Sequence, residues 1–153
     1  MQAKPQTKSK GVIGKVIGIV VGIVLAVFLL IQLIPYGHDH INPAVVAEPK
    51  WDTPATRALA VRACFDCHSN QVTWPWYSYI APVSWLTQRD VAEGRRILNF
   101  SDWNSGGLDG NEVASQIVSS NMPPWYFLPL HPTANLTAAE SQQLADGLVK
   151  SLK

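Results

Sequence analysis

From Val16 to Ile34 the chain reads VIGIVVGIVLAVFLLIQLI, nineteen residues with no charge and with Gln32 as the only polar interruption. In lipid, every backbone N–H and C=O of such a run must be satisfied within the segment itself, which leaves a helix. That helix would be about 28 Å long, close to the ~30 Å hydrocarbon core of a bilayer. A cleaved signal peptide competes with this reading, since Val45-Val46-Ala47 loosely resembles a cleavage site. Signal cores, however, usually hold only ~7–15 apolar residues, so a retained anchor is expected.

Charge sets the orientation. Lys4, Lys8, Lys10 and Lys15 give residues 1–15 a net charge of +4, whereas the 118 residues from 36 onward hold 8 basic and 11 acidic side chains, a net −3. The basic flank stays in the cytoplasm, which puts the body on the extracytoplasmic, periplasmic side. A body so weakly charged argues against nucleic-acid binding. Gly14, Gly18, Gly22 and Ala26 recur every four residues on one helix face, a spacing that lets two helices approach closely and could form a homodimer.

Residues 35–50, with Pro35, Gly37, Pro43 and Pro49, read as an extended, flexible tether. His38 and His40 flank Asp39 there, a weak metal-ligand pair. Residues 51–153 form the folded body and contain no alternation long enough for a strand, so the expected fold class is all-α. Thr53-Pro54 opens a helix that runs toward Cys67. A second helix follows Pro82, with Val83, Leu86, Val91, Ile97 and Leu98 on one face. A third runs from Asp109 to Ser120. Thr137-Ala138-Ala139-Glu140 is a capping box ahead of Leu144, Leu148 and Leu152. Residues 68–81 and 99–108 read as loops wrapped around a bound group.

Cys64-Phe65-Asp66-Cys67-His68 is C-x-x-C-H, the attachment signature of c-type haem. On a helix, positions i, i+3 and i+4 share a face, so two thiols can meet the haem vinyl groups while the imidazole reaches the iron. Ala60 and Ala63, one turn earlier, are small enough to let the flat macrocycle lie against the helix. Zinc lacks a second ligand pair, a thioredoxin-like dithiol lacks its βαβ setting, and a plain disulfide leaves His68 unexplained. For the sixth position, Met122 in Asn121-Met122-Pro123-Pro124 competes with His131 and with an open site. The second ring nitrogen of His68 wants a carbonyl acceptor, with Pro75 or Pro82 as candidates. Arg89, Arg95, Arg96, Trp74, Trp76 and Trp85 could donate to haem propionates.

Five blocks, RACFDCHSN (62–70), WPWYSYIAPVSW (74–85), RDVAEGRRILNFSDW (89–103), MPPWYFLPLHP (122–132) and LTAAE (136–140), occur in order. Over roughly residues 35–152 the chain resembles a small bacterial family of haem-binding domain proteins, membrane-anchored and similar to class I cytochromes c. The resemblance implies one haem c held covalently by Cys64 and Cys67, with His68 as proximal and Met122 as distal iron ligand. A single-electron carrier on the outer face of the bacterial cytoplasmic membrane is then expected, exchanging with a redox protein or respiratory complex. A haem peroxidase or gas sensor with an open distal site is the alternative. A third reading is an accessory subunit docked by its glycine-faced helix.

Overall fold

The computed structural model describes residues 8–105 and 107–153. Residues 1–7 of the basic tail, Lys4 among them, lie outside the described residues. The described residues form α1 (Lys8–Ile31), α2 (Pro54–Ala63), α3 (Phe65–His68), α4 (Val83–Ile97), α5 (Gly110–Val118) and α6 (Ala138–Ser151). Among them there is no strand, and the only β-pairing is a bridge between Ala47 and Asp102. The all-α expectation holds.

The apolar part of α1, Gly11–Ile31, has a mean hydropathy of 2.8 and buries nothing, so it is long and apolar enough to cross a membrane. Gln32, the residue directly after α1, has a use. The Gln32 side-chain N–H donates to the Phe28 carbonyl at 2.9 Å and to the Ala81 carbonyl at 3.0 Å, while its Oε1 accepts from the Ala81 N–H at 2.9 Å. The end of α1 is thus tied to the loop ahead of α4.

Local sequence accounts for the helix boundaries. Thr53 Oγ1 accepts from the Thr56 N–H at 3.1 Å, and Pro54 follows at the first helical position, where a missing N–H costs nothing. The helix expected to run through Cys67 instead stops at Ala63. Cys64, at φ −123° and ψ −34°, breaks it before the short α3 begins. Asp109 caps α5 by accepting from the Asn111 N–H at 2.8 Å. The capping box of α6 is complete. The Thr137 N–H donates to Glu140 Oε2 at 2.8 Å, and the Glu140 N–H donates to Thr137 Oγ1 at 3.2 Å. Arg62 at the end of α2 pairs with the same carboxylate at 2.6 Å.

The Thr137 backbone bond, with Arg62 second, holds the Glu140 carboxyl at about 2 instead of its ordinary 4.5. A carboxyl depressed in the folded state stabilises fully above its unfolded pKa, and loses that contribution as pH falls toward its folded value. The stability difference between wild type and Glu140→Gln should therefore be present at neutral pH and close between pH 4.5 and about 2 in urea titrations. Thr137→Ala should cost about 1 kcal/mol.

The core gathers Leu59, Phe65, Phe100, Leu144, Leu148 and Leu152, all less than a tenth exposed. Phe65 and Phe100 stack at 5.6 Å, and Trp51 lies 5.3 Å from Phe100. The 3.6-residue stripe of α6 is what puts Leu144, Leu148 and Leu152 in this core.

The flexible-tether expectation for residues 35–50 needs correction, because the segment is fastened to the domain along most of its length. Gly37, at φ +89°, lies so close to Ser84 that a Cβ would sit 2.8 Å from its carbonyl carbon and oxygen. His40 stacks on Trp74 at 4.4 Å and meets the edge of Tyr79 at 4.2 Å. Arg95 donates to the Ile41 carbonyl and to Asn42 Oδ1, the Val46 N–H donates to the Ser101 carbonyl, and Glu48 receives both Nε and Nη2 of Arg57 at 2.7 Å. Prolines favour an extended path, but the domain supplies the partners that fix it.

Candidate functional site

The turn from α2 into α3 presents Cys64, Cys67 and His68 to one cavity, whose empty space, open mouth included, is about 1100 Å³. Ala63, Ile97, Leu98, Phe100, Val113 and Ile117 make most of its wall apolar. Leu98, Phe100, Val113 and Ile117 are core residues as well, so the cavity is cut into the core. Met122 lies on the same lining, ahead of Pro123 and Pro124, with its backbone N–H bound to the Gln116 carbonyl at 3.1 Å. Met122 itself is 41% exposed, which places it at the mouth.

His68 is oriented by α4. Its Nδ1–H donates to the Gly94 carbonyl at 3.0 Å and to the Leu98 carbonyl at 3.1 Å. Two acceptors on one nitrogen fix the tautomer, leaving the lone pair on Nε2. Burial pushes the His68 pKa down, opposed by the Leu98 and Gly94 carbonyls, so the ring is neutral. Gly94 makes the approach possible. A Cβ at that position would lie 2.5 Å from the Cys67 carbonyl oxygen and drive α4 off α3. The Pro75 and Pro82 carbonyls expected in this role are used elsewhere: Pro75 accepts from Ser78, and Pro82 from the Trp85 N–H.

Cys64 and Cys67 are separate thiols. Burial, then the neighbouring Cys67, pushes Cys64 up to about 12. Burial, then the charges of Asp90 and Asp66, does the same for Cys67. Both therefore stay protonated at neutral pH. Among the described residues no group of three or more His, Cys, Asp and Glu side chains could hold a bare metal ion. Two free thiols, an imidazole with a free Nε2 and a thioether around an apolar cavity form instead a donor set that fits haem, whose macrocycle needs apolar walls and whose iron takes nitrogen and sulfur.

Other sequence candidates lie elsewhere. Ala60 is fully buried in the helical core, away from the cavity, because the break at Cys64 separates its face from that of α3. His131 lines a smaller neighbouring cavity. Its ring stacks on Phe127 at 3.6 Å, and its nitrogens meet the Phe127 carbonyl at 3.0 Å and Tyr77 Oη at 3.2 Å. None of Arg89, Arg95, Arg96, Trp74, Trp76 and Trp85 lines the main cavity. Arg95 spends its guanidinium on the Ser69 and Ile41 carbonyls and on Asn42, and Arg96 pairs with Glu93. The His40 ring expected to pair with His38 stacks on Trp74, meets the edge of Tyr79 and bonds through Nε2 to the Ser78 carbonyl at 3.0 Å.

Three contributors escape a reading of the sequence. Asp90 and Tyr126 line the cavity and are joined by a bond from Tyr126 Oη to Asp90 Oδ2 at 3.1 Å, while burial raises the Asp90 pKa. Gly94 carried the one usable signal, since a glycine inside a helix costs roughly 0.5–1 kcal/mol relative to alanine and needs a reason. Of the two long loops, 99–108 does reach the main cavity through Phe100 and Leu108. Val72, Thr73, Pro75 and Tyr77 line the smaller cavity instead.

Comparison with known proteins adds one positive finding. A family model described as haem-binding domain matches residues 26–150. No curated protein and no solved structure matches the chain.

Proposed function

Because the chain belongs to the haem-binding domain family, we propose that this haem protein is a membrane-anchored monohaem c-type cytochrome carrying single electrons on the extracytoplasmic face. The observation that carries the proposal is the convergence of Cys64, Cys67, His68 and Met122 on one apolar cavity. When bound, haem c supplies a one-electron iron couple. The chain does the rest. Cys64 and Cys67 would hold the macrocycle, and their protonated state would suit addition of S–H across its vinyl groups. His68 offers Nε2 to the iron while Gly94 and Leu98 keep its ring from turning. Met122, on the same lining, would offer its thioether sulfur to the iron.

An iron ligated on both sides has no position left for peroxide or a diatomic gas, and methionine ligation raises its potential. Both effects favour electron transfer over catalysis. The peroxidase or sensor reading loses the distal histidine that the sequence offered, because His131 stands outside the cavity with both nitrogens engaged. The basic flank of α1 supports a cytoplasmic N-terminus and a periplasmic body. A segment 35–50 fastened to the domain argues for a redox partner that comes to the haem, not for a haem that swings on a tether.

The test is a potentiometric titration of the full chain matured by covalent haem-attachment machinery, paired with a peroxide assay. A single reversible one-electron transition without peroxide turnover is expected. Fast peroxide turnover, or the lack of a reversible couple, would overturn the electron-carrier reading.

A further inference from the structure

The face of the domain nearest α1 carries a second functional surface. From Ser69 to Gln88 the chain runs twenty residues without an acidic or basic side chain, although soluble domains average roughly one charged residue in four. Within that stretch the 3₁₀ turn Trp76–Tyr79 sorts its side chains in a definite way. In a 3₁₀ turn, positions i and i+3 eclipse. Trp76 and Tyr79 accordingly share one side and are 73% and 58% exposed, whereas Ser78 is fully buried and Tyr77 turns inward to His131. Ile80 continues the exposed strip, whereas Val83 and Leu86, at the start of α4, line the smaller cavity with Tyr77 and His131.

The position of this strip is what gives it an occupant. Ala81, buried directly after Ile80, is held by both polar atoms of Gln32, two residues before the apolar run of the chain ends at Ile34. If α1 spans the bilayer, Gln32 lies near the depth at which the helix leaves the hydrocarbon, and the strip at Ala81 is fixed at that depth. Tryptophan and tyrosine collect at that level because their rings are amphipathic. A charge-free strip rich in aromatic residues, pinned beside the exit of a membrane helix, is complementary to the lipid headgroup–acyl boundary.

We propose that Trp76, Tyr79 and Ile80 form a membrane-docking face that lays the haem domain on the bilayer surface in a fixed orientation. The inference rests on the reading of α1 as a retained membrane anchor. Its consequence is that the fastened 35–50 segment and the docked strip together fix the cavity mouth relative to the membrane plane, so that a redox partner meets it from one direction.

The experiment uses the full chain reconstituted in phosphatidylcholine vesicles whose acyl chains are brominated either near the carbonyl end or near the methyl end. Co-flotation with the vesicles after alkaline washing reports the anchor, and quenching of tryptophan emission reports the docked face. Trp76→Phe and Trp125→Phe are compared, since both side chains are exposed, Trp125 at 80%, and neither holds the fold. The shallow bromine label is expected to quench more strongly than the deep one. Trp76→Phe should remove the largest share of that quenching, and Trp125→Phe should leave it nearly unchanged. Co-flotation with quenching indifferent to Trp76→Phe, or lost in Trp125→Phe, overturns the docking face while the anchor stands. Failure to co-float overturns both.

Discussion

Met122→Ala is expected to convert the matured protein from a low-spin to a high-spin ferric spectrum and to lower its midpoint potential. Axial ligand identity moves haem potentials over a range of about 0.8 V, and loss of methionine sulfur should account for a fall on the order of a tenth of a volt or more. The geometry gives the substitution little else to do. Met122 is 41% exposed, belongs to the cavity lining and not to the buried core, and is positioned by its backbone bond to the Gln116 carbonyl, which alanine retains. Folding should therefore be nearly unaffected. The check is an optical spectrum with redox titration, including the weak near-infrared band of methionine-ligated ferric iron. An unchanged spectrum and potential would remove Met122 from the iron.

His68→Ala is expected to have the larger structural effect. The Nδ1–H satisfies two carbonyls of α4, at Gly94 and Leu98. Deleting the imidazole takes the side-chain donor from the Leu98 carbonyl beside a closely packed crossing, whereas the Gly94 carbonyl keeps the Leu98 N–H at 2.9 Å. Stranding a buried hydrogen-bonding partner costs about 1–3 kcal/mol, and a fall of that size in urea stability is anticipated. The low-spin spectrum should be lost with it, and free imidazole added to the variant should restore part of that spectrum without restoring the stability. A low-spin spectrum that survives the substitution would mean that another side chain ligates the iron.

The grouping of the candidate site residues around one cavity was legible in the sequence to the extent that it is local. Cys64, Cys67 and His68 fall within five residues, and one turn of backbone brings them together whatever the remainder of the chain does. Met122 was marked by its two following prolines. The capping box at Thr137 and the stripe Leu144, Leu148 and Leu152 are likewise properties of short windows, and α6 forms as read.

What escaped the sequence depends on contacts between distant segments. The acceptors for His68 lie 26 and 30 residues away on α4, and reach it only because Gly94 lets two helices touch. Arg95 sits on the polar side of α4, where a propionate partner and a backbone staple look the same until the 35–50 segment is in place. Proline density correctly excluded a helix from that segment and gave the wrong mobility. Stiffness is a local property; attachment through Gly37, His40, Asn42 and Glu48 is not. Ala60 was assigned to the haem face on the assumption of an unbroken helix, which the backbone at Cys64 does not provide.

The most direct test of the central claim is the intact mass of the full chain after maturation, denaturation and acid-acetone extraction of any loosely held haem. The expected result is the mass of the chain plus one haem, with the addition lost in Cys64→Ala/Cys67→Ala. An unmodified chain mass from a protein that was haem-loaded before extraction would contradict covalent attachment at Cys64 and Cys67, and with it the cytochrome c reading.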